Sequence, residues 1–460
     1  MRIPHTIPDH AFEAFRCSEE TKLLPNELNR TLRSEDEEWD TQGRPDSLKI
    51  LALKVLSRNW LARPVLNELV SSADRDHLLE LLPLGIPFKM AIKMIDYEIF
   101  WQRASEARWK FNDPGMHGNS WRQLYCERHL ADYLERLEPA YFEAELSEIE
   151  AQMELYAPYV KELKLRQLLG ARMKLPEVPD AQDTEEARQL KLPQIREPET
   201  YHIPMNLVLA KLPNLTSLLI NVGVIYLDNL IDWKDFEFSI EDSLKLGKGA
   251  KNLPCLKKFS ITRSNLDRPR VAAILQGLAV SVSISEIDFS HCRMGDGGAQ
   301  AIGGFFTSRP RICHLKTLKL VDNNIGPEGI AGIVRGMLLV NEKRRGPAVR
   351  KLDLRLNPIG PEGAHHLASL LLRIPDLEYL NVSGCELGGG GGMSMAEVLT
   401  SGQTKLVDTE LDISNNYMGE IVGEAFEIVA KSCSAITALD VRMCGFRKES
   451  EFVISDNVTR

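Results

Sequence analysis

Residues 315–338 read LKTLKLVDNNIGPEGIAGIVRGML, and residues 349–372 read VRKLDLRLNPIGPEGAHHLASLLL. The two stretches align without a gap. Each opens on an apolar residue and continues as x-x-L-x-L-x-x-N-x-I, crosses Gly-Pro-Glu-Gly, and ends in a longer apolar-rich run. The opening alternates apolar and polar residues, the period of a half-buried strand. The closing run changes period: Ile330, Ile333, Val334 and Met337 recur at i, i+3, i+4 and i+7, as do Ala364, Leu367, Ala368 and Leu371. That spacing puts one apolar stripe on a helix. Proline and an acid after glycine suit a tight turn into the first helical turn. A unit of one strand and one helix cannot bury both apolar sides alone, so such units must stack.

Further copies begin at Leu256 (LKKFSITRSNL), Ile284 (ISEIDFSHCRM), Leu377 (LEYLNVSGCEL) and Ile436 (ITALDVRMCGF). The copy around Leu411 lacks the first apolar anchor, where Asp408 stands. Leu215, Leu218 and Ile220 make a more distant copy, and Val160, Leu163 and Leu165 read as an earlier strand. The second anchors Phe259, Ile287, Leu318, Leu352, Leu380, Leu411 and Leu439 are separated by 28, 31, 34, 28, 31 and 28 residues. Helical spacing recurs at Ala299, Ile302, Gly303 and Phe306, and at Val422, Ala425, Phe426 and Val429.

The fifth residue after the second anchor reads Cys292, Asn323, Asn357, Cys385, Asn416 and Cys444. A side chain there turns into the bend, where an unbonded polar group would cost about 1–3 kcal/mol, so few residue types fit. Mixed Asn and Cys at this column resembles the ribonuclease-inhibitor class of leucine-rich repeat. The expected fold is an α/β solenoid: a ribonuclease-inhibitor-type leucine-rich-repeat arc preceded by a mainly helical N-terminal domain.

Working outward, residues 1–60 carry no recognisable motif and form an N-terminal extension. Residues 61–155 have helical apolar spacing, with Trp101, Trp109 and Trp121 expected in the core of a small cap for the array. A leucine-proline pair, a helix and these tryptophans are also loosely similar to an F-box and its tail. Residues 156–460 hold the repeats, with a Pro- and charge-rich loop or linker at 174–200. The stretch DNLIDWKDFEFSIED at 228–242 reads either as a partner-docking loop or as part of a longer first repeat. At the other end, Phe446, Phe452, Val453 and Ile454 are expected to cover the last strand.

Composition narrows the function. The 460 residues are 43% hydrophobic and 26% charged, with a net charge of −9 and a pI near 5.7. That balance is unlike a dedicated nucleic-acid binder. The first fifteen residues lack a secretory apolar core, and no run approaches the roughly 18–20 apolar residues of a membrane span. Eight scattered cysteines form no C-x-x-C pair, which excludes the usual zinc and thiol-redox spacings and points to a reducing compartment. No phosphate-binding loop, H-E-x-x-H or G-x-S-x-G occurs. The glycine run at 388–392 reads as a flexible strand-to-helix turn. His365 and His366 read as surface or packing residues, and His117 and His129 lack companion ligands. Neither an enzyme nor a cofactor or metal site is expected.

An interaction site belongs on the outward strand positions. These include Lys257, Lys258, Ser260, Ser285, Glu286, Asp288, Thr317, Asp353, Glu410, Asp412, Asp440 and Arg442. The preferred partner-binding residues are Lys316, Lys319, Arg350, Lys351 and Arg355, a basic patch flanked by acidic repeats, with Glu378 and Tyr379 beside it. Such a patch suits an acidic partner; an ordinary solvated face is the alternative.

The order of WQRASEARWK, HGNSWRQLYCERHL, the YVKELKL strand, the repeats and the ending LDVRMCGFRKESEF resembles the t-complex-associated testis-expressed family, which supplies subunit 5 of the dynein regulatory complex. The resemblance runs from about Tyr97 to the C-terminus and is most specific in HGNSW and RMCGFRKESEF. It implies a structural role in the axoneme of cilia and flagella, within the nexin link between doublets. The implied partners are other subunits of that complex, coiled-coil and leucine-rich-repeat proteins among them, with dynein or doublet microtubules as further contacts. It carries over no catalytic residue. Two rival readings are an F-box adaptor of a ubiquitin ligase and a small-GTPase regulator with the same repeat class.

Overall fold

The computed structural model describes residues 46–142, 144–168, 170, 202–222, 238–308, 315–343 and 349–458. The 174–200 linker lies outside them, as do most of the 1–60 extension, positions 223–237, the KRRGP at 343–347 apart from Lys343, and Cys17 and Cys313. Two compact units divide the chain between Pro83 and Leu84.

In the first unit, α1 (Leu48–Arg58) is capped by Ser47, whose hydroxyl accepts the Ile50 N–H at 3.3 Å. Helix α2 (Ser72–Leu81) follows, and the Ser57 hydroxyl donates to the Leu81 carbonyl at 2.7 Å. Leu53, Trp60, Leu78 and Leu79 are buried.

The second unit starts with helices α3 (Phe88–Met94), α4 (Glu98–Arg108), α5 (Trp121–Leu134), α6 (Pro139–Phe142) and α7 (Leu146–Tyr156). Nine strands then make one wholly parallel sheet in chain order. They are β1 (Glu162–Leu165), β2 (Ser217–Asn221), β3 (Lys258–Thr262), β4 (Glu286–Asp288) and β5 (Thr317–Lys319), continuing with β6 (Lys351–Asp353), β7 (Tyr379–Asn381), β8 (Thr409–Asp412) and β9 (Ile436–Asp440). A parallel neighbour requires a crossover, and a helix supplies each one after β1. These are α8 (Met205–Ala210), α9 (Ile240–Lys251), α10 (Arg268–Leu278) and α11 (Gly295–Thr307), then α12 (Pro327–Lys343), α13 (Gly360–Arg373), α14 (Gly388–Thr400) and α15 (Glu420–Ser432). Helix α16 (Lys448–Val458) ends the unit against α15 and β9.

The anchor register of the sequence is the register of the sheet. Leu163, Leu218, Phe259, Ile287, Leu318, Leu352, Leu380, Leu411 and Leu439 pair in a single row. All are buried except Leu439 on the last strand, which is half-buried. Full burial of such a side chain contributes about 1.5–3 kcal/mol. At the defective copy, Asp408 is exposed and buried Thr409 takes the inward place, its hydroxyl donating to the Leu377 carbonyl at 2.7 Å. The cost is a register shift between Thr409 and Glu410.

Repeat helices meet at backbone distance. A Cβ on Gly303 would stand 2.3 Å from the Gly332 carbonyl oxygen, and one on Gly336 2.5 Å from that of Gly303. The glycine run at 388–392 belongs to this system and is not a flexible turn. Gly388 alone takes a positive φ, +61°, and the run forms the first turns of α14. There a Cβ on Gly391 would lie 2.6 Å from the Ala364 Cβ, and one on Gly392 2.5 Å from the Met418 sulfur.

At the C-terminal end Ile454 is buried and Phe446 stacks on Phe426 at 6.1 Å. Phe452 does not cover the strand as expected; it is 73% exposed on the far side of α16.

Candidate interaction surface

From β4 to β9 each strand leaves the sheet through a bend that carries the Asn/Cys column. The Asn357 amide oxygen accepts the N–H groups of Asn323 (2.9 Å) and Ile325 (3.1 Å), and its nitrogen donates to the carbonyls of Leu320 (2.8 Å) and Leu354 (2.6 Å). Asn323 accepts from Cys292 N–H at 2.8 Å, and Asn416 accepts from Cys385 N–H at 2.8 Å. The cysteines act in one direction only: Cys292, Cys385 and Cys444 donate to the carbonyls of Ile261, Leu354 and Ile413, each at 3.2 Å. Burial pushes the Cys292 and Cys385 thiols up to about 12 and the Cys444 thiol to about 11. Ser264 stands at the same position one repeat earlier, buried but with its hydroxyl unbonded among the described residues, so the bonded column begins at Cys292.

Ser260, Asp288, Asp353, Asp412 and Asp440, each the residue after a second anchor, were expected to face outward for partners, and the fold occupies them and Asn381 at the same position. Asp288, Asp353, Asn381, Asp412 and Asp440 accept the N–H two residues on, at 2.9, 3.3, 2.9, 3.0 and 3.1 Å. These short side chains close the strand end as Asx turns. Asp353 is buried, and so is Ser260 at the same position. The pattern was legible: a strand followed by D-x-S, N-x-S or D-x-R recurs in DFS, DLR, NVS, DIS and DVR. Between helices, Asp296 bonds forward, accepting Gly326 N–H at 2.7 Å and Gly329 N–H at 2.9 Å, and so ties α11 to the start of α12.

The basic patch is present with its charge partly matched. Lys316 and Lys351 are exposed. Lys319 pairs with Glu286 at 2.5 Å, Arg350 with Glu378 at 2.6 Å and Arg355 with Asp353 at 3.2 Å. Burial opposes the Lys319 charge, yet the hydrogen bond and charge of Glu286, with Asp288 and Asp353 nearby, raise its pKa above the usual lysine value. Burial raises the Asp353 carboxyl despite Arg355 and Lys319. Tyr379 is half-exposed, its hydroxyl accepting from Asn381 at 2.9 Å. A cavity of about 530 Å³ opens beside Arg350, Lys351, Glu378 and Tyr379.

The HGNSW segment explains its own specificity. Gly118 and Asn119 take positive φ, +65° and +58°, and Ser120 caps α5 by accepting Gln123 N–H. Glu98 receives the Ser120 hydroxyl at 2.8 Å and the Trp121 and Arg122 N–H groups. Buried Arg122 donates to Asp96 and the Ile92 carbonyl and lies 4.2 Å over the Tyr159 ring. Trp101 is buried, whereas Trp109 and Trp121 are only half-buried and do not fill the cap core. Two buried glutamates, Glu127 on α5 and Glu135 at its C-cap, then hold the first strand. Glu127 accepts the Lys161 and Glu162 N–H groups, both at 2.9 Å, and Glu135 that of Arg166 at 2.7 Å. The signal for Glu127 was its place on the apolar row with Leu124, Leu130 and Leu134, where only a buried acceptor fits a charge.

Of the histidines, His117 meets Glu127, His129 meets the Tyr156 hydroxyl at 2.5 Å, and His365 and His366 are exposed. Among the described residues no cluster of His, Cys, Asp and Glu could hold a metal ion, and no helix is long and apolar enough to cross a membrane.

A nine-stranded parallel sheet with one helix per step, an Asn/Cys column in the bends and an exposed sheet face define a leucine-rich-repeat protein. The pattern of the Leucine Rich repeat family matches residues 280–303, 311–334, 348–368 and 374–396. The chain is similar to dynein regulatory complex subunit 5 of Mus musculus, 28% identical over 282 residues, 61% of this chain and 55% of that one. The subunit of the same name in Chlamydomonas reinhardtii is 31% identical over 121 residues, 26% of this chain and 30% of that one. Mus musculus ribonuclease inhibitor is 26% identical over 218 residues, 45% of this chain and 44% of that one. The chain thus spans about half the length of the mouse subunit it matches.

Proposed function

We propose that the chain is a non-catalytic interaction subunit of the dynein regulatory complex, within the nexin link between axonemal doublets of cilia and flagella. The observation that carries this reading is the similarity to two proteins named dynein regulatory complex subunit 5, from an alga and a mammal. The architecture suits the task. The solenoid spends its backbone hydrogen bonds internally, and what it offers outward is a rigid sheet face with alternating charge. Its partners are then other subunits of the complex, with dynein or the doublets as further contacts. Lys316 and Lys351, the cations of the patch with no carboxylate at ion-pair distance among the described residues, are the side chains that meet an acidic partner, flanked by Arg350, Arg355, Glu378 and Tyr379. Their role is register and encounter rate more than raw affinity, because exposed ion pairs are each worth only about 0.2–1 kcal/mol.

The test is to tag the chain in a ciliated cell, fractionate axonemes and identify what co-extracts. Salt-resistant retention on doublets with dynein regulatory subunits is the expected result. A soluble protein that brings down cullin and Skp-type subunits would replace this reading with a ubiquitin-ligase adaptor.

A further inference from the structure

Beside the junction of cap and sheet, a cavity of about 480 Å³ opens among the loop that follows α4, α5 and the outward side chains of β1. Trp109 lines it, and Phe111 and Met116 stand at it 79% and 74% exposed. A single exposed apolar residue is ordinary. Two beside one tryptophan make a small apolar platform.

The surrounding charge is unevenly matched. Arg166 is held by Glu135 and Asp132, and Asp132 also takes Arg108. Glu127 is committed to the Lys161 and Glu162 N–H groups, Gln123 and His117. Lys110, Arg128 and Lys164 have no carboxylate within ion-pair distance among the described residues, and the remaining acid of the lining is Glu162. Arg128 donates only to neutral oxygens, the Phe111 carbonyl at 2.7 Å and the Asn112 amide at 3.0 Å, and lies 5.6 Å over the Trp109 ring. Burial first, and then the charge of Arg166, lower its pKa from the usual arginine value, with Asp132 opposing them in part from beyond ion-pair distance.

We propose that this cavity docks an acidic peptide segment of a partner protein. An aromatic or aliphatic side chain of that segment rests against Trp109, Phe111 and Met116, while flanking carboxylates meet Lys110, Arg128 and Lys164. Charge complementarity selects the occupant, since unmatched cations beside an apolar wall favour carboxylates on either side of one hydrophobic residue. The volume takes one side chain and its immediate neighbours, which makes the partner a segment and not a folded surface. The proposal stands on local geometry and is independent of the axonemal reading.

Fluorescence polarisation with the full chain tests it. The probe is a short labelled peptide with one Phe between Glu and Asp residues, compared with a Lys-flanked version and a version with Ser for Phe. The acidic Phe peptide should bind about tenfold or more tightly than either control and weaken as salt rises. A Lys110→Glu/Lys164→Glu variant should lose about tenfold in affinity, and Phe111→Ala/Met116→Ala severalfold, both melting at the parental temperature because all four side chains are exposed. Lys405→Glu/Lys448→Glu, at exposed lysines of neither surface, should bind the probe unchanged. The idea is overturned if the basic peptide binds equally well, or if only a Lys316→Glu/Lys351→Glu variant loses binding. It is equally overturned by tighter binding of a single-stranded oligonucleotide, or by binding seen only after removal of 174–200, which would assign the cavity to the chain's own linker.

Discussion

Replacing Asn357 by Ala removes one side chain and disturbs four backbone groups. The carboxamide is buried, accepts from Asn323 and Ile325, and donates to Leu320 and Leu354. A buried group left without a partner costs about 1–3 kcal/mol, so if half of the four re-pair the loss is still roughly 2–6 kcal/mol. Asn357→Cys should lose about half as much, because a cysteine can keep the donation to the preceding bend that Cys385 makes at 3.2 Å while giving up the two accepted bonds. Repeat arrays need not unfold in one step, so the local reading matters as much as the global one. Native-state hydrogen exchange should show the amides of Asn323 and Ile325 losing protection in both variants. Urea denaturation should rank parent above Cys above Ala. Unchanged exchange at those two amides together with an unmoved midpoint in Asn357→Ala would refute the ladder reasoning.

Other expectations follow from the same geometry. Gly303→Ala should destabilise by about 1–3 kcal/mol, since its Cβ meets the Gly332 carbonyl at 2.3 Å, whereas Gly304→Ala, with nothing within 4 Å, should be neutral or up to about 1 kcal/mol stabilising; thermal melts decide. Glu127→Ala should expose the Lys161 and Glu162 amides to exchange and cost about 2–4 kcal/mol, because bonds to a charged acceptor are the stronger kind. A thiol reagent at pH 8 should modify exposed Cys255 in the native chain and spare Cys292, Cys385 and Cys444, whose raised pKa values keep them protonated; labelling of the ladder cysteines at the Cys255 rate would contradict this. Burial, then the charge of Arg108, lowers His129 to about 4, so the unfolded chain binds its proton first. Its contribution is complete above about pH 6.5 and should fade by roughly 2–3 kcal/mol as pH falls toward 4, a slope that His129→Phe should flatten.

The repeats were legible because their cause is periodic. Nine anchors from Leu163 to Leu439 must share one row, and a residue that breaks the row, such as Asp408, shows at once. What escaped was aperiodic. Glu127 and Glu135 make sense only once β1 lies beside α5, a contact across more than thirty residues with no spacing rule. The glycines at 388–392 were read by local flexibility, but their role is set by Ala364 and Met418, which lie in the repeats on either side. Phe452 was assigned by hydrophobicity, which does not say which face of a helix meets the sheet. On the open face, composition gave the cations correctly, but not that Glu286, Glu378 and Asp353 already meet three of them.

Glu127 on α5 and Glu135 at its C-cap bear on how this chain meets others. A first strand ordinarily leaves a row of bare N–H groups, the template on which a foreign strand can add. Here carboxylates occupy those donors at Lys161, Glu162 and Arg166. An incoming backbone would have to displace buried negative charge and put neutral carbonyls in its place at these three donors, which is unfavourable at each. The ends of the first strand are thereby guarded against a foreign strand by acids of the chain itself, and a partner that meets this margin gains more from side-chain contacts than from backbone pairing.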